Sequence, residues 1–177
     1  MSFHKRIDKP AGDVRRQAFV PPRSGAEWLV GVGFRCWLAG YDTGDIACWE
    51  NGWNEYNRIL GPSRAKRAVT ELACWVRAVR SSASRKIEYY PFGCSGFCPD
   101  ECMAISLIAA SQHHRCPAMQ ACALALTGSD LVEPVIDAAN AFADALQEAN
   151  QRLSPEAVAA LMSSKGNDRG DGFAGRR

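Results

Sequence analysis

The hydrophobic residues of this chain recur at the spacing of an α-helix rather than that of a β-strand. In one segment the apolar positions fall three or four residues apart, at Ile46, Trp49, Trp53, Tyr56 and Leu60. About seven segments are helical by pattern or capping signals, and no two segments make a convincing pair of strands. The pattern therefore predicts an all-α fold, a compact bundle of about seven helices.

Capping residues mark the ends of the first three predicted helices. Ser24 and Glu27 have the spacing of a capping box, so the first helix is expected to begin there and run to about residue 40. Asp45 is the expected N-cap of the second helix, which ends at Gly61 and Pro62. Ser63 is the expected N-cap of the third helix, which is expected to run to about residue 80.

In the C-terminal half, proline and glycine punctuate the helical pattern. Cys98 is the expected N-cap of a helix that runs to about residue 111, because a proline follows it directly. Cys116 opens the next helix, which stops at Gly128. Asp130 together with Glu133 is expected to begin a longer helix, and Ser154 opens a final short one.

The chain of 177 residues, 47% of them hydrophobic, is long enough for one packed domain. We assign residues 24–165 to a single helical domain, with a basic, tryptophan-containing part at 24–82 and a cysteine- and alanine-rich part at 93–165. Residues 1–23 are expected to form a flexible arm. Residues 166–177, rich in glycine and charge, are expected to form a disordered tail.

The formal net charge of +2 conceals an uneven distribution. Residues 1–90 hold 15 Lys/Arg and 9 Asp/Glu, a net charge of +6, whereas residues 91–165 hold 3 and 8, a net charge of −5. In the third predicted helix the basic residues lie off the apolar stripe, at Arg64, Lys66, Arg67, Arg77 and Arg80. They are candidates for binding RNA, DNA or an acidic protein partner, and a solvated surface without such a partner is the alternative.

The N-terminal residues are polar and lack the apolar run of a secretory signal. No stretch approaches the 18 apolar residues of a membrane span. We therefore expect a cytoplasmic protein without a membrane partner. Because the cytosol is reducing, the eight cysteines are expected to be metal ligands or buried thiols rather than disulfides.

Six of the eight cysteines lie between Cys74 and Cys122, and Cys94, Cys98 and Cys102 follow one another at intervals of four where a loop enters a helix. Zinc and iron–sulfur clusters use thiolate and imidazole ligands, and a helix N-terminus stabilises thiolates. These three cysteines are predicted to hold zinc or an iron–sulfur cluster. The fourth ligand is expected from Cys116, His113 or Cys74. Buried thiols and thiol redox chemistry are the alternatives.

The run from His113 through Cys116 to Cys122 resembles the end of the cluster-binding part of the WhiB-like iron–sulfur regulators. The resemblance covers residues 113–126. It favours an iron–sulfur cluster as the bound group and carries over no other part of that family's function.

Two glycine-containing motifs lie in the first two predicted helices. One has the form G-F-x5-G and begins at Gly33, and the other has the form W-x2-G-W and runs from Trp49 to Trp53. Their order and residue types resemble the ribosome modulation factor family over residues 33–56, which implies a helical hairpin near RNA or the ribosome. Trp49 and Trp53 share one helical face. They are candidates for stacking on nucleic-acid bases, and core packing is the alternative.

No phosphate-binding loop, nucleophile elbow or zinc-protease motif occurs in the sequence. A Cys–His pair such as Cys116 with His113 could act as a nucleophile and its base, and no third orienting group accompanies it. The sequence thus favours a non-enzymatic regulatory or accessory protein with a cysteine-ligated metal that contacts nucleic acid. A ribosome- or RNA-associated module and a helical protein-interaction module with buried structural cysteines are the alternatives.

Overall fold

The computed structural model of the chain describes residues 23–157, which form six α-helices and no β-strand. The helices are α1 (Ala26–Thr43), α2 (Ile46–Leu60), α3 (Pro62–Ser82), α4 (Pro99–Gln112), α5 (Cys116–Thr127) and α6 (Glu133–Glu148). The all-α prediction is confirmed, with six helices in the described part rather than about seven. Most of the helix expected after Ser154, the predicted tail and all of the predicted arm except Arg23 lie outside the described residues.

α1 and α2 form an antiparallel hairpin in which glycines allow the two helices to approach closely. A Cβ atom added at Gly40 would lie 2.4 Å from the Trp49 ring, and one added at Gly52 would lie 2.6 Å from the Trp37 ring. Both separations are shorter than a van der Waals contact, so only glycine fits at these crossings without repacking. The helical hairpin predicted for this stretch is therefore present.

Trp75 of α3 lies at the centre of the core. It is fully buried, and its ring centroid lies 5.3 Å from that of Phe34 in α1 and 5.5 Å from that of Phe142 in α6. α4 is buried on nearly every side, because it packs against α1, α5 and α6 together. This packing brings the N-terminus of α4 next to the middle of α1, where the polar groups described below meet.

The first helix begins differently from the prediction. Its N-cap is Gly25 and no side chain caps it, so the predicted capping box of Ser24 and Glu27 is wrong. Glu27 Oε1 instead accepts a hydrogen bond of 2.8 Å from the backbone N–H of Ser154. The Glu27 carboxylate, which the sequence predicted would cap α1, therefore binds the segment that follows α6. α1 also continues past residue 40, to Thr43.

Four other predicted helix boundaries are confirmed. Asp45 is the N-cap of α2, and its Oδ1 accepts a 2.9 Å bond from the N–H of Ala47. Cys98 is the N-cap of α4. α5 begins at Cys116 and ends before Gly128, whose φ of 67° lies in the left-handed region that favours glycine.

Candidate nucleic-acid interface

The five basic residues that the sequence nominates for nucleic-acid binding all lie exposed on α3, at Arg64, Lys66, Arg67, Arg77 and Arg80. Two of them have acidic neighbours: Arg67 forms an ion pair with Glu148 of α6, and Arg80 Nε lies 3.4 Å from Asp42 Oδ1. Among residues 23–157, the other three have no carboxylate within ion-pair distance. Three cations of α3 are therefore not neutralised by this part of the chain.

Lys66, Arg77 and Arg80 form what we call the basic stripe, because they share one face of α3. Each residue rotates a helix by about 100°, so these three positions lie within about 60° of one another, whereas Arg67 points about 100° away from Lys66. The stripe spans about 21 Å along the helix at about 1.5 Å per residue. It ends at Arg80, in the last turn of α3.

A cleft opens where the basic stripe ends. It has a volume of about 660 Å³ and lies between the C-terminal ends of α1 and α3 and the non-helical residues 86–90. Its lining includes Asp42, Arg80, Lys86, Tyr89, Tyr90 and Cys98. The cleft thus combines two cations and the carboxylates of Asp42 and Glu88 with two tyrosines, a combination that none of the predicted sites contained.

The polar groups on one wall of the cleft are joined in a small network. Asp42 Oδ2 accepts a 3.3 Å hydrogen bond from the Tyr89 hydroxyl, and Arg80 lies on the other oxygen of the same carboxylate. The guanidinium carbon of Arg80 also sits 5.7 Å from the centroid of the Tyr41 ring. Partial burial, followed by the charge of Asp42, raises the pKa of Tyr89. The Tyr89 hydroxyl therefore keeps its proton, and with it the bond to Asp42, to a higher pH than a free tyrosine would.

Beneath the cleft, a buried ion pair holds the chain that forms its rim. Arg35 of α1 is 1% exposed and Glu101 of α4 is fully buried. Their contact is bidentate, with Nε to Oε1 at 2.7 Å and Nη2 to Oε2 at 3.0 Å. The guanidinium also donates to three backbone carbonyls, those of Pro91 at 3.2 Å, Cys94 at 2.8 Å and Gly96 at 2.7 Å.

The two oxygens of Glu101 are used just as fully. One accepts from the N–H of Cys98 at 2.8 Å and the other from the N–H of Tyr90 at 3.2 Å, in addition to the bonds from Arg35. Charges buried without water need such partners, because each unpaired ion would cost several kcal/mol, about 3–5 when one partner is removed. The pair therefore fixes the backbone of residues 90–98 against α1.

The neighbouring carboxylate of α4 holds the other end of the same segment from the outside. Asp100 accepts two hydrogen bonds from Arg85, at 2.8 and 2.6 Å, and a third of 2.8 Å from the N–H of Glu88. Arg85 also donates to the carbonyl of Ala125 in α5 at 3.0 Å. Residues 85–98 are thus tied at both ends to the first turn of α4, although they form no helix.

Sequence reasoning missed these anchors, although signals for them exist. Arg35 is the single charged residue between Glu27 and Asp42, in a helix that is otherwise apolar on nearly every side. A lone charge in a buried helix requires an opposite charge. Glu101 stands three residues after the N-cap Cys98, which is the capping-box position. Nothing in the sequence indicates that Arg35 and Glu101 form an ion pair with each other.

The cysteines predicted to hold a metal are not gathered into one site. Among the described residues, no group of three or more His, Cys, Asp or Glu residues lies close enough to hold a metal ion. Cys98 Sγ lies 3.2 Å from the carbonyl of Glu88, and Cys102 Sγ lies 3.8 Å from that of Phe97. Cys94, which precedes both in the sequence, is half-buried. Zinc or an iron–sulfur cluster therefore stays a prediction without support from the geometry of residues 23–157.

The expected activation of thiols at the N-terminus of α4 is wrong for Cys98. Burial raises the pKa of this thiol to about 12, against the stabilising backbone N–H groups of the helix start. The remaining predicted ligands lie on other elements: Cys116 is exposed at the start of α5, and His113 Nε2 lies 3.0 Å from the carbonyl of Leu153. His113 is thus engaged in holding the chain that follows α6.

Trp49 and Trp53 of α2 are half-buried and pack against the core. The Trp49 ring lies over Gly40 and has its centroid 5.9 Å from that of Tyr41. These contacts fit the core-packing alternative for at least one ring. Stacking of nucleic-acid bases on the two tryptophans stays a prediction.

No protein-family model, no curated protein and no solved structure matches this chain. Within residues 23–157, no helix combines the length and the apolar character needed to cross a bilayer. Over residues 23–157, the fold and site define an all-α class with six helices, a basic helix face, a charged and aromatic cleft at the end of that face, and a buried ion pair beneath the cleft.

Proposed function

We propose that this protein is a non-enzymatic RNA-binding module that contacts the phosphate backbone of RNA through the basic stripe of α3. The observation that carries the proposal is the state of Lys66 and Arg77. Both are exposed, both lie on one helix face, and neither has a carboxylate partner among the described residues. Cations without a carboxylate partner can bind RNA phosphates, and the counterions condensed on the RNA are then released, which favours binding.

The distribution of charge along the chain supports a polyanionic partner on this side. Residues 62–90 hold seven Lys/Arg and two Asp/Glu, a net charge of +5, whereas residues 91–157 hold two and eight, a net charge of −6. α6 carries four acidic residues and no basic one, and it packs against α3 on the flank where Arg67 meets Glu148. Such a separation of charge orients an approaching polyanion toward the stripe and away from α6.

Two further features bear on which polyanion binds. The resemblance of residues 33–56 to the ribosome modulation factor family favours RNA over DNA, and that hairpin leads directly into α3. A ribosome-associated role is part of the same proposal. A regulatory role, a zinc ion or an iron–sulfur cluster adds nothing to the RNA contact and is not needed for it.

The experiment compares the wild-type chain with the double variant Lys66→Ala/Arg77→Ala. Binding of a fluorescently labelled single-stranded oligoribonucleotide is followed by anisotropy over a series of salt concentrations. Each cation that contacts a phosphate contributes about 0.7 to the slope of log affinity against log salt for single strands. We therefore expect the slope of the double variant to fall by about 1.4, with weaker binding at every salt concentration.

The matched control is Arg152→Ala, which removes an exposed cation from the acidic part of the chain. It should bind as the wild type does. Circular dichroism checks that the helices of each variant are intact. Absence of binding by the wild type at low salt would sink the proposal, and an equal loss in Arg152→Ala would show that the stripe is not the contact surface.

A further inference from the structure

We infer that the cleft at the end of the basic stripe binds a single unstacked nucleotide of the RNA strand, with its base against Tyr90 and its phosphate between Arg80 and Lys86. The inference rests on the proposed RNA binding and adds a place and a strand preference to it. Three observations carry it: the position of Arg80, the groups that line the cleft, and the fixed backbone of its rim.

Arg80 belongs to both surfaces. It is the last cation of the stripe and also lines the cleft, and Arg77 lies one helical turn before it on the same face. A strand whose phosphates follow the stripe is therefore led to the mouth of the cleft. Lys86, which is exposed, lines the same cleft and provides its second cation.

The lining of the cleft matches the parts of a nucleotide. Its volume of about 660 Å³ falls in the range of about 300–1,000 Å³ that small-molecule sites have. The side chain of Tyr90 is 39% exposed and offers a ring on which a base can stack. The carboxylates of Asp42 and Glu88 also line the cleft and can accept hydrogen bonds from base N–H groups.

The rim that carries these groups is held in place before any ligand arrives. The backbone N–H of Tyr90 is bound to Glu101, and that of Glu88 is bound to Asp100. Both carboxylates lie in the first turn of α4. A ligand that binds to a fixed rim loses less free energy to ordering the protein, which makes a small site of this kind effective.

The shape of the site selects single strands. A base inside a duplex is stacked between its neighbours and cannot enter a cleft beside a helix, whereas a base in a single strand can turn outward. The stripe alone contacts phosphates and would accept either form of RNA. A preference for single-stranded over double-stranded RNA is thus the property that the cleft adds.

The first experiment compares Tyr90→Ala with Phe92→Ala in the full chain. Phe92 is the matched control because it is 40% exposed, lies two residues further along the same segment and does not line the cleft. We expect Tyr90→Ala to lower the affinity for a single-stranded oligoribonucleotide about tenfold, as loss of one stacked base does. Its affinity for an RNA duplex should not change, and Phe92→Ala should bind both as the wild type does.

A second measurement separates the cleft from the stripe. Adenosine monophosphate is titrated into isotope-labelled full chain, and amide shifts are followed by NMR. Shifts concentrated in the residues that line the cleft, which are 86–90 together with Asp42, Arg80 and Cys98, support the cleft. If RNA binds through the stripe but these amides do not move and Tyr90→Ala binds normally, the cleft inference is wrong and the RNA proposal stands. If no RNA binds but these amides move, the RNA proposal is wrong and the nucleotide site stands.

Discussion

Glu101 and Asp100 are adjacent residues in the first turn of α4, and each accepts hydrogen bonds from an arginine and from backbone N–H groups, two for Glu101 and one for Asp100, yet their surroundings differ. Glu101 and its partner Arg35 are almost completely buried, whereas Arg85, the partner of Asp100, is 38% exposed. The buried pair joins α1 to the rim of the cleft, and the exposed pair joins the same segment to α5. The comparison teaches that solvent exposure, more than residue type, determines how much the free energy of unfolding falls when such an ion pair is broken.

The largest expected effect comes from breaking the buried pair. In Glu101→Gln the side chain keeps its shape but loses its charge, so Arg35 is left as an uncompensated buried cation. We expect the free energy of unfolding to fall by about 3–5 kcal/mol, measured by urea denaturation followed by circular dichroism.

The double variant Arg35→Met/Glu101→Leu is the control for this prediction. It removes both charges, so its loss should be smaller than the sum of the losses in the two single variants. It should still be less stable than the wild type, because the carbonyls of Pro91, Cys94 and Gly96 lose the donor that satisfies them. A loss below about 1 kcal/mol in Glu101→Gln would contradict the role assigned to the pair.

An intermediate effect is expected from Cys98, which lines the cleft but is 3% exposed. Burial raises the pKa of its thiol from 9.0 to about 12. The unfolded chain releases this proton above pH 9, whereas the folded chain keeps it until about pH 12. The stability that the thiol contributes is therefore fully present below pH 9 and is lost at about 1.4 kcal/mol per pH unit above it.

The measurement is urea denaturation of the wild type and of Cys98→Ser at roughly pH 8 and pH 10, on either side of the unshifted thiol pKa of 9.0. The wild type should lose more stability than the variant over this interval. Cys36 shifts in the same direction, to about 12, and is present in both proteins, so the difference between them isolates Cys98. Equal losses in the two proteins would show that the Cys98 thiol is not buried in solution.

The smallest effect is expected from the exposed pair. Asp100→Asn removes the charge that faces Arg85 but keeps an oxygen that can accept from the N–H of Glu88. Exposed ion pairs contribute about 0–1 kcal/mol, and we expect a loss in that range, decreasing further at high salt. A loss as large as that of Glu101→Gln would remove the distinction between the two carboxylates.

The positions of the helices along the chain could be predicted from the sequence, whereas the tertiary contacts between them could not. Helical spacing and helix capping depend on residues within a few positions of one another, so the sequence pattern is sufficient to predict them. Examples are the apolar spacing at Ile46, Trp49 and Trp53 and the N-caps at Asp45 and Cys98. Glu27 shows where this ends. Its carboxylate binds the backbone N–H of Ser154 instead of forming the predicted capping box with Ser24. Ser154 lies 127 residues after Glu27 and becomes its neighbour only in the folded chain.

The candidate site likewise has one part that could be predicted from the sequence and one part that could not. The exposed cations of α3 could be identified from the sequence, because they lie off its apolar stripe. The cleft could not be identified, since Asp42, Arg80 and Tyr90 come from three parts of the chain. The density of cysteines pointed to a metal, but density along the chain does not place thiols within one coordination sphere.

The sequence by itself determined the helical class of the fold, most helix boundaries and the separation of basic from acidic regions, because each follows from short-range spacing or from composition. Only the tertiary structure decided that Arg35 meets Glu101 across 66 residues. It also decided that residues 86–90 face Arg80 across a cleft. Such contacts depend on which helix faces pack together, and that choice is made by the whole core at once.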